Sequence, residues 1–163
     1  MTGVFNITWN YILIQIKEGL SFEKALKLAQ EKGYAKADPS ADIDGIDTMR
    51  KINITSSLLF DRYFDENKIK TKGIRDIKES DKKNALAHNK TIKIIGYGDD
   101  NGKIYVRAEE VEQNSILSLL KGGENAIKFD SKSAGEIVIK AAGAGGRETA
   151  YSLVSDFIDI YGE

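Results

Sequence analysis

The sequence predicts an α+β fold, and three features carry that prediction. Apolar residues repeat at helical spacing through the segment 9–60. β-branched segments dominate from Thr91 onward and are folded back by an Asp100-Asn101-Gly102 turn signal, and an amphipathic stretch follows from Gly146. Helices followed by a run of strands, without regular strand–helix alternation, give one mixed or antiparallel sheet covered by helices. About five strands are expected, near 73–77, 91–98, 103–110, 125–129 and 136–141.

The first helix is marked by Trp9, Ile12, Leu13 and Ile16, with Gly19 as its stop. Asn6, Thr8 and Asn10 at its start admit two readings, helix capping and a polar end suited to anions. Ser21 caps a second helix with Phe22, Ala25, Leu26 and Ala29 on one face, and Gly33 ends it. Asp38-Pro39 is extended or turned, because the proline ring disfavours helix at the residue before it. Asp44 reads as an N-cap and Asp47 as the acid of a capping box, so a third helix runs from near Gly45 to about Phe60.

On that helix Asp47 and Lys51 are four residues apart and share a face, which Ile54 and Leu58 continue. Ile46, Met49, Ile52 and Leu59 cover the opposite side. One acid–lysine pair on a helix apolar nearly all round belongs half-buried at the mouth of a cleft. An ordinary surface ion pair, contributing about 0.3–0.5 kcal/mol, also fits that spacing.

Asp61 to Lys72 is charged and reads as an exposed segment without chemistry, after which Gly73-Ile74 opens a short strand. Ser80 to Asn89 is a polar helix with the single histidine, His88, on the surface at its end. The β-branched run TIKIIGYG is a strand, returning through the turn into KIYVRAEEV. That return excludes Gly96-Tyr97-Gly98 as a phosphate loop, which needs a helix next. Asn114 to Leu120 is a short helix or turn. After the last strand come Gly143, Gly145 and Gly146, then a helix with Ala150, Leu153, Val154, Phe157 and Ile160 on its inner side. Strand, glycine loop and helix bring backbone amides towards a ligand. The third glycine of a G-x-G-x-x-G fingerprint is replaced by Glu148, however, and a structural turn fits the same spacing.

With 163 residues the chain has the size of one domain, taken as 1–163, and can bury a real core. Its 24 basic residues balance 25 acidic ones, which excludes the basic signature of nucleic-acid binding. Zero cysteines exclude disulfides, thiolate zinc sites and cysteine nucleophiles, and one histidine argues against a histidine metal site. There is no apolar run of membrane-spanning length and no secretory signal, so a cytoplasmic protein is expected.

The segment GYAKADPSADIDGIDTMRK resembles the substrate-binding segment of homoserine dehydrogenases. The opening GVFNITWNYIL is similar to that family's G-V-x-N-G-T-x-N-Y-I-L, and GAGGRETAYSLVSDFIDI to its glycine-rich closing motif. Together these matches cover essentially the whole chain, in order. The resemblance implies an NAD(P)-dependent oxidoreductase of the aspartate pathway to threonine and methionine, interconverting homoserine and aspartate 4-semialdehyde. By position, Lys51 is the lysine that exchanges a proton with the substrate hydroxyl. Asp47 holds the substrate amino group, Asp42 supports the acidic pocket, and Tyr34 and Thr8 belong to the same pocket. Lys36 stands where the family has glutamate, Ile7 where it has glycine, and Trp9 where it has a small residue. Gly143, Gly145, Gly146 and Thr149 fall in the part of the family pattern near the cofactor.

The resemblance also implies a homodimer formed through this domain. In the family a Rossmann domain holds NAD(P) and supplies a second lysine, and no counterpart to it occurs in this sequence. Two classes of function remain. The first is the substrate half of a dehydrogenase, working with a cofactor domain on another chain or in a longer protein. The second is a non-catalytic dimerisation or small-molecule-binding module of the same descent.

Overall fold

Strand β1 (Thr2–Val4) runs almost directly into helix α1 (Ile7–Lys17), and both lie at the centre of the molecule. The structure, a computed structural model, describes every residue except Asp76, Gly122, Ala144, Gly145 and Glu163, and gives only the backbone of Lys17 and Glu79. Helices α2 (Phe22–Glu31), α3 (Ser40–Ile43) and α4 (Ile46–Phe60) follow, then strand β2 (Lys70–Thr71) and helix α5 (Glu79–Ala87). The chain continues through β3 (Lys90–Gly98), β4 (Ile104–Glu112), β5 (Glu124–Ser131) and β6 (Gly135–Ala142) to helix α6 (Gly146–Tyr161). The sheet order is β2-β4-β3-β1-β5-β6. Every neighbouring pair is antiparallel except β2 with β4, so the sheet is mixed and the fold is α+β.

Three elements differ from the sequence-based expectation. Strand β1 has three residues, too few to show a period, yet it bridges β3 and β5 through Gly3 opposite Gly96 and Ile127. The strand expected at 73–77 does not form at 73–75 or at Ile77, Asp76 lying outside the described residues. The short edge strand lies earlier, at Lys70–Thr71. The backbone at 73–75 is instead drawn against the α3–α4 turn, where Ile74 N–H donates to Ile43 O at 3.3 Å. A Cβ on Gly73 would lie 2.1 Å from that same carbonyl oxygen, so the two loops touch through glycine.

Asp44 does not cap α4. The residue before the helix is Gly45, in the left-handed conformation, and no side chain caps it. The Asp44 carboxylate turns instead to Arg75, accepting from Nε at 2.6 Å and Nη2 at 3.2 Å. Those hydrogen bonds hold its carboxyl below its ordinary value. Asp47 sits in the first turn of α4 and spends its carboxylate on Lys51 rather than on a capping box. The expected caps Asn6 and Ser21 do form, accepting from Trp9 N and Lys24 N.

Helix α4 crosses β3 where that strand carries glycine. A Cβ on Gly96 would lie 3.0 Å from Ile52 Cβ, and one on Gly98 would lie 2.3 Å from Ser56 Oγ. Thr48, Met49, Ile52 and Ser56 are therefore the buried face of α4, with Ile52 0% exposed. Ile54, Leu58 and Leu59 face outward, Leu58 with 80% of its surface free. The opposite face of the sheet has a smaller core, in which Val4, Ile95 and Ala126 are covered by Leu117 and Leu120 of the turn segment after β4.

The β5–β6 ribbon and α6 carry most of the uncovered apolar surface. The α6 side chains expected to face inward, from Ala150 to Ile160, are exposed, as are Ile137 and Ile139 of β6. Among the described residues, no helix is long and apolar enough to cross a membrane. His88 is exposed at the end of α5, as expected, with Nδ1 2.8 Å from Asn84 O.

Two stability measurements test this packing. Ile52→Ala should cost about 2–5 kcal/mol by urea unfolding, whereas Ile54→Ala on the free face should stay within about 0.5 kcal/mol. Equal losses would mean that α4 presents a different face to the sheet. The Asp44–Arg75 pair is largely exposed, so Arg75→Ala should cost under about 1 kcal/mol. Because the Asp44 carboxyl is held low, the pair contributes above its ordinary value of 3.8 and loses that contribution as pH falls through the lowered value. Unfolding midpoints of the two forms should differ near neutrality and converge in strong acid. A difference that persists in strong acid contradicts the assignment.

Candidate functional site

The site is built where three N-terminal ends meet: the start of α1, the short α3 and the first turns of α4. Asn6 is the link. Its Oδ1 caps α1 by accepting from Trp9 N at 2.9 Å, which fixes the orientation of its amide. The Nδ2 group then donates to Asp42 Oδ1 at 2.7 Å and to Asp47 Oδ2 at 3.4 Å. Trp9 is buried beneath, and its indole Nε1 donates to the backbone carbonyl of Asp42. The α3 turn that carries Asp42 is thereby tied to α1.

Lys51 completes the cluster. Its ammonium lies 2.8 Å from Asp47 Oδ2 and donates to Phe5 O at 3.1 Å. The two side chains are 37–38% exposed, so the pair is half-buried. An ammonium has three donors, and two of these are used, which leaves one for a ligand. Asp42 Oδ2 and Asp47 Oδ1 accept no hydrogen bond among the described residues. Two carboxylates therefore face one ammonium, and the cluster is short of one positive charge.

Thr8 and Tyr34 are also brought here. Thr8 Oγ1 donates to the backbone carbonyl of Tyr34, and the Tyr34 ring packs 5.2 Å from that of Tyr11. Lys36 is on the same loop but exposed. Its backbone carbonyl accepts from Gln30 Nε2 at 3.1 Å, and its ammonium has no partner among the described residues. Asp38, the nearest acid in sequence, accepts from Ser40 N instead, and its hydrogen bonds to Ser40 hold its carboxyl low. The sequence reads Asn6 as a cap or as part of a polar end suited to anions, and does not anticipate its bonds to two carboxylates. Its spacing from α1 predicted the cap, but only the tertiary fold shows the second use of its amide.

The glycine-rich segment follows β6. Gly143 N donates to Gly123 O at 2.7 Å, and a Cβ on Gly123 would lie 3.7 Å from Ile7 Cδ1. The turn is thus joined to the start of α1. Gly146 opens α6, with Thr149 exposed in its first turn, and Gly145 lies outside the described residues. Gly143 leaves no room for a side chain, because a Cβ there would lie 2.1 Å from Asn125 Nδ2. That glycine serves packing against Asn125. Among the described residues there is no group of three or more metal-ligating side chains.

Comparison with known proteins gives this geometry its context. The family model for homoserine dehydrogenase matches residues 1–158. The homoserine dehydrogenase of Methanocaldococcus jannaschii is 41% identical over 160 residues, which are 98% of this chain and 47% of that protein. The NAD(+)-dependent homoserine dehydrogenase of Pseudomonas canavaninivorans is 34% identical over 98% of this chain and 46% of its own length. The crystal structure of Staphylococcus aureus homoserine dehydrogenase superposes with a TM-score of 0.89 at 32% identity, covering 98% of this chain and 41% of that one. The chain thus spans less than half the length of these relatives. Across its own length the sequence match and the superposition agree, and the chain belongs to the homoserine dehydrogenase family.

Proposed function

We propose that this chain supplies the substrate-binding half of a homoserine dehydrogenase, interconverting homoserine and aspartate 4-semialdehyde with NAD(P). The observation that carries the reading is the Asn6–Asp42–Asp47–Lys51 cluster, whose two carboxylates exceed its one ammonium. The α-ammonium of homoserine supplies the missing positive charge, with Asp47 Oδ1 and Asp42 Oδ2 as its acceptors. Asn6 holds the two carboxylates together before substrate arrives, so little ordering remains to be done on binding. The substrate hydroxyl then meets Lys51, whose Nζ is fixed by Asp47 and Phe5 O. In reduction the Lys51 ammonium gives a proton to the oxygen that becomes the substrate hydroxyl, and in oxidation the neutral Lys51 amine, its proton first lost to solvent, takes the hydroxyl proton. Tyr34 and Thr8 close the side of the pocket made by the α2–α3 loop.

NAD(P) supplies the hydride chemistry. In the family pattern a Rossmann domain holds it, and this chain spans less than half the length of the relatives it matches. Gly143, Gly146 and Thr149 then lie at the edge that such a domain meets. The exposed apolar residues of β6 and α6 support a homodimer formed through this domain. Light scattering at micromolar concentration should give twice the chain mass, and a monomer removes the dimer.

Lys36 favours a second reading, a non-catalytic binding or dimerisation module. Its ammonium, in the place of a family glutamate, adds a positive charge on the pocket side that works against an ammonium ligand. Titration of homoserine into the natural chain should therefore show weak binding, tightened by Lys36→Glu. Mixed with a separately expressed cofactor domain, the chain should support NADPH turnover with aspartate 4-semialdehyde. Lys36→Glu should raise that turnover and Lys51→Ala should abolish it. Turnover that survives Lys51→Ala removes that residue from proton transfer. Absence of homoserine binding in both the natural and Lys36→Glu forms selects the non-catalytic module.

A further inference from the structure

The charged segment between α4 and β4 is not chemically silent once folded. Residues 62–65 and 68–72 line a groove of about 1110 Å³ together with the start of β4. Its walls carry Arg62, Lys68, Lys70, Lys72, Lys103 and Arg107, against a single lining acid, Asp65. This concentration of positive charge occurs in a chain whose formal net charge is −1. Like charges crowded in a concavity repel one another and favour an anion between them.

Part of this charge is already matched and part is not. Lys68 lies 3.6 Å from Asp65, and Arg107 lies 2.8 Å from Glu109. Arg62, Lys70 and Lys103 have no carboxylate within 4.0 Å among the described residues. The rim is also aromatic. Tyr105 stacks on Tyr97 at 4.9 Å, and Arg107 lies 4.5 Å and Lys103 5.4 Å from the Tyr105 ring. These contacts hold the two cations at the groove edge. Tyr63, 86% exposed, also lines the groove.

The groove is separate from the homoserine cluster. It follows the β2–β4 side of α4, where Gly45 approaches Thr71 and Val106, while Lys51 leaves the other side of the helix towards Phe5 and β1. None of the residues lining the groove belongs to α4 or to the Asn6–Asp42–Asp47–Lys51 cluster, so the two sites take separate ligands.

We propose that this groove binds a polyphosphate chain. The Arg62 guanidinium with Lys70 and Lys103 suits phosphate oxygens, which accept charge-assisted hydrogen bonds from both kinds of cation. A polyphosphate concentrates several negative charges in a short span. An extended acidic peptide spaces them about 3.3 Å or more apart along the chain and pays for its own ordering. The phosphate chemistry is common to a nucleoside triphosphate and to inorganic polyphosphate, and Tyr63 offers a stacking surface that only the former uses.

Calorimetric titration of the chain with inorganic triphosphate, ATP and a hexaglutamate peptide tests the proposal. Triphosphate should bind saturably and weaken steeply with added salt. Arg62→Gln with Lys70→Gln should weaken it at least about tenfold, since two charge-assisted contacts are lost, with the melting temperature unchanged. ATP tighter than triphosphate, with the difference lost in Tyr63→Ala, assigns a nucleotide. Equal affinities assign the bare phosphate chain. Absence of saturable binding, salt-independent binding, or hexaglutamate binding as tightly as triphosphate overturns the proposal. Homoserine titration should be the same in the groove variants and the unaltered chain, which separates this outcome from that of the substrate pocket.

Discussion

Helix α4 rests on β3 at two glycines, and that close contact sets where everything else in this protein lies. Gly96 and Gly98 leave no side chain between strand and helix, so Ile52 and Ser56 reach the strand backbone itself. Buried apolar contact at this distance gains both the hydrophobic term and dense van der Waals packing. With its Met49–Ile52 face committed to the sheet, α4 has one flank towards β1 and the other towards β4. Asp47 and Lys51 are on the first flank, beside Phe5 and Asn6. The basic groove is on the second.

The Asn6–Asp42–Asp47–Lys51 cluster depends on that placement more than on the strength of its individual bonds. An exposed Asp–Lys pair four residues apart on a helix contributes little to stability. The pair becomes a site because Asn6, oriented by capping α1, draws Asp42 towards Asp47 and makes one ammonium answer to two carboxylates. The charge imbalance costs stability in the protein alone and would be relieved by the cationic ligand proposed above. Sites of this kind trade folding energy for affinity, and here the cost is limited because the cluster is only half-buried.

The same domain leaves much apolar surface in water along β6 and α6. Burial of such residues is worth roughly 25 cal/mol per Å² of apolar area, so their exposure is free energy that this chain by itself does not collect. The relatives named above are more than twice as long as the part this chain matches, and a longer polypeptide or a second copy offers the surfaces that would cover these residues. The α6 stripe reads as amphipathic from its spacing, but spacing cannot say whether the apolar side meets its own sheet or something else.

Much of this protein was determined by local chemistry that a sequence displays. The helices α1, α2 and α4, the caps at Asn6 and Ser21, the β3–β4 hairpin and the Asp47–Lys51 pair all arise from contacts within a few residues. The family motifs around Gly33–Lys51 and Gly143–Gly146 were legible for the same reason, as short contiguous strings. Tertiary structure alone decided what depends on distant partners. Asp44 has the chemistry of a cap, but Arg75, 31 residues away, captures its carboxylate. Strand β1 is three residues long and exists because β3 and β5 flank it. Gly73 ends against Ile43 O instead of in a ladder. The charged segment 61–72 looked like solvated surface until β2 paired with β4 and curved it into a groove. Side chains far apart in sequence acquire a shared electrostatic role only when folding brings them within a few ångströms, and no local pattern records that distance.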